Sequence, residues 1–298
     1  MNPNDYLANV LKLQNLADDS QEIKDLQEHR KKVEDTLRKG FPDASATIQY
    51  GGSKIKGTLI RESYDLDVIC YFGHDDTSAG ASLKDIFDNV ANKLSDEYYV
   101  ERRTSAVRLR DKENKIDFHI DVVPGRYVDD SKSDCFIHQN GADKERLKTN
   151  LSIHIEHIKN SGVVPAIRLL KLWKTRRGLR VRQFAFELLI IKLLKGEKSN
   201  CLDAQLKHVW SSIADAEEAL CVEDPANPNG NDLSELLESV WPELSSRARD
   251  TLNLLEQSGW EAIFGQLEDE TNDTGKVARL ASAAAAVLTP TRPWLGKG

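Results

Sequence analysis

The chain has 298 residues, 40% of them hydrophobic and 30% charged, enough apolar material for one large core or two smaller lobes. A formal charge of −7 argues against a protein whose main task is gripping a long nucleic acid, because such binding is dominated by phosphate neutralisation. No run approaches the roughly 18 apolar residues of a membrane span, the first residues lack a secretion signal's basic and apolar regions, and Cys70, Cys135, Cys201 and Cys221 show no CxxC spacing, so a cytoplasmic protein with reduced thiols is expected.

In chain order, residues 5–38 read as helix, with apolar residues at Leu7, Val10, Leu11, Ile23, Leu26, Val33 and Leu37, and Gly40-Phe41-Pro42 ends the run. A short strand is predicted over 46–50. The turn Gly51-Gly52-Ser53 and a helical connection follow, then a strand over 65–72, the strongest in the chain. A polar loop over 73–80 leads to an amphipathic helix over 82–94 with Ser82 as its N-cap. Strands over 98–104, 106–110 and 115–123 complete a mixed α/β lobe, and the polar stretch 126–142 is predicted as loop. Beyond 143 helical periodicity dominates, over 164–175, 184–195, 204–219, 234–240, 244–258 and the alanine-rich 277–288, with a proline- and asparagine-rich loop at 223–231. The expected organisation is an N-terminal helical segment, 1–40, packing across both lobes, a catalytic core over 41–142, and a helical lobe over 143–298 with a loose tail over about 289–298.

The chemistry sits in the first lobe. In a strand, side chains alternate, so Asp65 and Asp67 point the same way, about 7 Å apart. Two acids on one face of an otherwise apolar strand are costly unless something compensates them, and divalent cations are the obvious compensation. A third acid comes from the strand Lys115-Ile116-Asp117-Phe118-His119-Ile120-Asp121-Val122-Val123-Pro124. Asp121 is the choice, because it precedes Val122-Val123-Pro124 at what reads as the strand end; Asp117 is the runner-up, and His119 reads as a polar neighbour. These are the parts of a two-metal nucleotidyl-transfer site, with oxygen ligands suited to two Mg²⁺ or Mn²⁺ ions. Gly52 allows close backbone approach, and Ser53 adds a hydroxyl donor for the β- or γ-phosphate of a nucleotide.

Gly51-Gly52-Ser53, Gly57-Thr58, Asp65-x-Asp67 and Asp121-Val-Val-Pro together resemble the polymerase-β-type nucleotidyltransferase superfamily. Arg168-Leu-Leu-Lys171-Leu-Trp, Phe184-Ala-Phe-Glu187-Leu-Leu and Asp224-Pro-Ala-Asn-Pro resemble its oligoadenylate-synthase and bacterial CD-NTase branch, over residues 45–235. The resemblance implies a two-lobed enzyme that joins ribonucleoside triphosphates, without a template, into a cyclic di- or trinucleotide signal, in bacteria an anti-phage signal. It implies that Lys171 contacts the donor triphosphate and that Gln183 contacts phosphate or base, while Phe184 reads as a core aromatic. The His/Cys zinc insertion of the animal cyclic GMP–AMP synthases is not found in this sequence, in keeping with the acidic charge. Regulatory proteins are expected as partners, and the ending Trp294-Leu-Gly-Lys-Gly298 suits conjugation to another protein. The rival readings are an RNA-directed nucleotidyltransferase of the archaeal CCA-adding kind and a nucleotide-binding sensor with an inactive site.

Overall fold

The computed structural model describes residues 1–44, 46–113, 118–141 and 144–267. The helical run expected over 5–38 is two helices, α1 (Pro3–Leu13) and α2 (Gln21–Gly40). The break follows from Asp18-Asp19-Ser20, short polar side chains that compete for backbone hydrogen bonds, and Ser20 Oγ accepts the Ile23 amide to start the second helix. The break lets the two helices serve different cores. Tyr6, Leu7 and Val10 of α1 pack with the C-terminal helices, whereas Ile23, Leu26, Val33 and Leu37 of α2 pack on the sheet.

Next come β1 (Thr47–Tyr50), the short α3 (Gly52–Lys56), β2 (Leu66–Phe72), α4 (Leu83–Leu94), β3 (Tyr98–Arg102), β4 (Val107–Asp111), β5 (Ile120–Tyr127), β6 (Cys135–His138) and β7 (Arg146–Thr149). Among the described residues the strands form one mixed sheet in the order β1-β2-β5-β4-β3, with β6 paired to β5 and β7 to β6. Only the β2–β5 pair in it is parallel. Leu66, Val68, Cys70 and Phe72 of β2, with Ile120, Val122, Val107 and Leu109, form one buried face under α2 and α4.

The helical lobe follows as α5 (Leu151–Lys159), α6 (Val164–Arg176), α7 (Gln183–Leu193), α8 (Leu202–Asp215), α9 (Glu235–Glu238), α10 (Trp241–Ser258) and α11 (Glu261–Phe264). Its core centres on Trp173, Phe186 and Trp210, each at most 1% exposed. The helix expected over 277–288 and the tail ending at Gly298 lie outside the described residues.

Three expectations need correction. The strand expected to stop at 123 continues to Tyr127, through Pro124. Proline is tolerated there because β4 pairs with β5 only as far as Val122 and β6 takes over at Gly125, so no ladder bond on that side calls for its missing N–H. Gly125 makes the takeover feasible, since a Cβ there would lie 2.7 Å from Cys135 Sγ and 2.9 Å from the Phe136 carbonyl oxygen. Secondly, the polar stretch expected as loop contains β6, and β7 follows it before the first C-terminal helix. Thirdly, α5 was not expected, because Leu151-Ser-Ile153-His-Ile155 alternates like a strand. Asn150 decides for helix by accepting the Ile153 amide at 3.2 Å.

Candidate active site

Because the even-numbered side chains of β2 face α2 and α4, Asp67 points to the opposite face, with Ile69 and Tyr71. Ile69 and Tyr71 are covered by a small cluster with Tyr127, Cys135 and Ile137, which leaves the amino-terminal end of this face to the acids. Asp67 and Asp121 are direct partners in the parallel β2–β5 register. Asp121 is therefore the second residue of its strand, not a residue near its end as the sequence suggested. Asp65 is exposed and lies one residue ahead of β2, beside Leu66, whose amide donates to the His119 carbonyl at 2.9 Å. Asp117 falls outside the described residues.

The glycine turn is built around Asp67. Gly52 has φ of +73°, and a Cβ there would lie 2.7 Å from Asp67 Cγ, with Oδ2 closer still. The Gly51 amide donates to the Asp67 carbonyl at 3.1 Å. A glycine at 52 thus gives the carboxylate direct contact with the backbone of the turn. Ser53 follows and is 8% exposed, its carbonyl taking the Thr58 amide at 2.8 Å. At five residues α3 supplies little macrodipole, so positive charge at this turn comes from lysines instead.

Those lysines set the electrostatics. Burial is the largest influence on Asp67 and pushes its carboxyl up to about 6, helped by Asp65 and Asp121 and opposed by Lys56 and Lys171. Lys171, on α6, is 4% exposed and so is no surface lysine. Burial lowers its pKa, while the charges of Glu187, Asp65 and Asp67 act to hold it ionised. Glu187, fully buried on α7, accepts from Lys56 Nζ at 2.6 Å and from Thr58 Oγ1 at 2.9 Å. Gln183 donates to Glu187 at 3.3 Å and accepts from Lys174 Nζ at 2.8 Å. The structure thus brings Asp65, Asp67, Asp121, Gly52, Ser53 and Lys171 to one place, and sets Gln183 behind Glu187.

Phe184 stands at the edge of the helical core, its ring 4.5 Å from that of His154 and beneath Lys56 Nζ at 5.7 Å. His154 in turn pairs with Asp224 at 2.6 Å, and Asp224 also accepts from the Ala226 amide and Asn231 Nδ2, which fixes the 223–231 loop. The loop is therefore a support, tied to the site through one histidine and one phenyl ring.

Sequence reasoning missed Lys56, His154 and Arg108. Lys56 carried a local signal, three residues beyond the end of the glycine-serine turn. His154 and Arg108 carried none, because only strand register and helix packing bring them in. Arg108 is the partner of Asp121 in the β4–β5 register and grips its carboxylate with two bonds, 2.8 Å from Nε and 2.7 Å from Nη2. Among the described residues no group of three acidic, histidine or cysteine side chains is gathered as a ready cage for an ion. The donor set still fits a hard divalent cation at Asp65 and Asp67, where the buried carboxylate lacks full compensation; at Asp121 an ion must take the place of the guanidinium.

No family model matches the chain. The cyclic AMP-AMP-AMP synthase of Escherichia coli (strain MS 115-1) is 26% identical over 82% of each chain. Among solved structures, the CdnC:HORMA-deltaN complex of E. coli MS115-1 matches with a TM-score of 0.64 and 20% identity, covering 90% of this chain and 98% of that one. The CD-NTase CdnG of Bradyrhizobium diazoefficiens, in complex with GTP, matches with a TM-score of 0.68 and 14% identity over 94% and 98%. The solved structures carry the fold and the synthase carries a sequence relationship: the chain has the fold of the CD-NTases and is similar in sequence to one cyclic oligonucleotide synthase.

Proposed function

We propose that this protein is a cytoplasmic, template-independent nucleotidyltransferase that makes a cyclic di- or trinucleotide second messenger from ribonucleoside triphosphates, in bacterial anti-phage signalling. The observation that carries the reading is the contact between Gly52 and the Asp67 carboxylate, which sets a backbone turn suited to phosphate against the acids suited to a cation. The sequence relative is named for the synthesis of cyclic AMP-AMP-AMP, and a fold relative was solved with GTP, which supports nucleotides as substrates here. The complex of CdnC with a HORMA protein supports regulation by a bound protein partner.

In this reading the donor triphosphate lies between the lobes, with Ser53 and Lys171 on its phosphates and Gln183 behind them. Asp65, Asp67 and Asp121 would hold two Mg²⁺ or Mn²⁺ ions, which would supply neutralisation of the charge that develops in the transfer. The acceptor ribose hydroxyl forms a new bond to the α-phosphorus, the bond from that phosphorus to the β-bridging oxygen breaks, and pyrophosphate leaves. Asp121 stands on the acceptor side, where a carboxylate takes the hydroxyl proton. Lys56, held by Glu187, and Lys171 keep positive charge at the phosphate end throughout. Catalysis in this reading is positioning and charge stabilisation more than covalent chemistry, as in phosphoryl transfer generally.

The test uses purified protein, four labelled ribonucleoside triphosphates and Mg²⁺ or Mn²⁺, with and without bulk tRNA. A small phosphatase-resistant product formed without RNA supports the proposal. Label confined to tRNA moves the protein to the RNA-tailing reading and overturns it.

A further inference from the structure

Arg108 has a carboxylate on each side of it across the sheet. Towards β5 it faces Asp121, and towards β3 it faces Glu101, its partner in the antiparallel β3–β4 register. Directly opposed residues in such pairs point to one face, with Cβ atoms about 5 Å apart. Asp67, Asp121, Arg108 and Glu101 therefore form one row across four strands. At present the guanidinium is committed to Asp121 through its two-bond fork. The pair is 22% and 18% exposed, so ions in solution reach it.

Glu101 is under-used. Its Oε2 is buried, yet accepts no hydrogen bond among the described residues. It has only ionic contacts, with Arg103 at 3.3 Å and Arg110 at 3.8 Å. The side chain as a whole is 43% exposed, so that oxygen has positive charge near it but no aligned donor, and a guanidinium offers five. A turn of Arg108 from Asp121 to Glu101 satisfies that oxygen and frees the third carboxylate. A fork and a divalent cation compete for the same lone pairs on Asp121.

We propose that Arg108 is a positioning residue that governs the cation position at Asp121, holding the carboxylate in its fork until an ion displaces it and then passing to Glu101. This rests on the reading of Asp65, Asp67 and Asp121 as the metal-holding set. Its consequence is order: the ion at Asp65 and Asp67 binds first, and the one at Asp121 second and more weakly. Asp121 is never left as an unpaired charge, and Arg108 is never without a partner.

The experiment titrates the intact protein with Mn²⁺ alone and reads free ion by electron paramagnetic resonance. The wild type is expected to bind one ion tightly and a second about tenfold or more weakly, and Asp121→Asn to lose the second. Arg108→Gln should tighten the second site by about tenfold, Arg108→Lys by less, and Glu101→Gln should weaken it by about threefold to tenfold, all without a change in the first. Glu101 is on an edge strand, so its variant decides the matter if Arg108→Gln does not fold. Second-site isotherms of Arg108→Gln and Glu101→Gln that superimpose on the wild type overturn the inference while leaving the proposed site intact. No Mn²⁺ binding by the wild type, or unchanged binding in Asp67→Asn, overturns the proposed site and the inference with it.

Discussion

Lys56 and Glu187 join the glycine turn to the helical lobe through an ion pair of 2.6 Å whose two side chains are 12% and 0% exposed. Removing one partner of a buried pair leaves an uncompensated charge, a loss of about 3–5 kcal/mol. Lys56→Met leaves Glu187 with Thr58 and Gln183 as its hydrogen-bond donors among the described residues, and should destabilise the fold by about 3 kcal/mol. Lys56→Met with Glu187→Gln should recover much of that loss, because the stranded charge is gone. Urea denaturation of the two variants checks this, and a double variant no more stable than Lys56→Met alone would sink it.

Gly52→Ala should separate activity from folding. The added Cβ collides with the Asp67 carboxylate, and φ of +73° adds strain of about 1 kcal/mol for any side chain. The carboxylate at the end of a side chain can rotate away, so the fold survives while the turn and the acid separate. Synthesis is expected to fall by about a hundredfold or more, with a melting temperature within several degrees of wild type. Activity within threefold of wild type would mean that the contact does not matter to the reaction.

Asp67→Asn should abolish synthesis and stabilise the metal-free protein. The carboxylate is desolvated and stands beside Asp65 and Asp121, with Lys56 and Lys171 only partly offsetting them. An amide of the same shape removes that cost, on the order of 1–3 kcal/mol. Thermal melts in chelator should show the variant above the wild type. A variant less stable than wild type under those conditions would place the carboxylate in a structural role.

Much of this site was legible in the sequence because its signals are local. The spacing from Gly51-Gly52-Ser53 to Asp65 and Asp67 fixes a turn, a short helix and a strand, and two acids on an apolar strand expose themselves through their cost. Lys171 was legible by resemblance alone; by periodicity it is one more polar residue in a helix whose stretch 169–173 proves buried without a break. Asp121 reads from the sequence as the third acid because of its place before a strand end; the register sets it opposite Asp67, but the strand end inferred from Pro124 is an interior position where one neighbour replaces another. Arg108 and Glu101 could not be read at all. Val107-Arg108-Leu109-Arg110 shows a half-buried strand, and nothing in it says which residue on another strand stands opposite. The strands β6 and β7 escaped for a related reason, being four residues each, with too little alternation to rise above their polar surroundings.

Lys174 gives the site a pH dependence. Burial chiefly, and then the charge of Lys171, bring its pKa from 10.5 down to about 8, against the pull of Glu187 and Asp65. Between pH 8 and 10.5 the folded chain therefore holds fewer protons here than the unfolded one, so this group's contribution to stability rises with pH across that window, and its cost is fully present below 8. Its ammonium donates to the Val181 carbonyl at 3.0 Å and to Gln183 at 2.8 Å, next to the proposed phosphate end. A bound triphosphate adds negative charge and raises the pKa again, so nucleotide binding near pH 8 should draw a fraction of a proton from solution. Calorimetry with ATP at pH 8, in buffers of different ionisation enthalpy, reads that uptake directly. Lys174→Met should abolish the buffer dependence at pH 8, and at pH 6.5, where the lysine is already charged in the free protein, wild type and variant should agree. A wild type whose binding enthalpy is the same in every buffer at pH 8 would remove Lys174 from the field of the bound nucleotide.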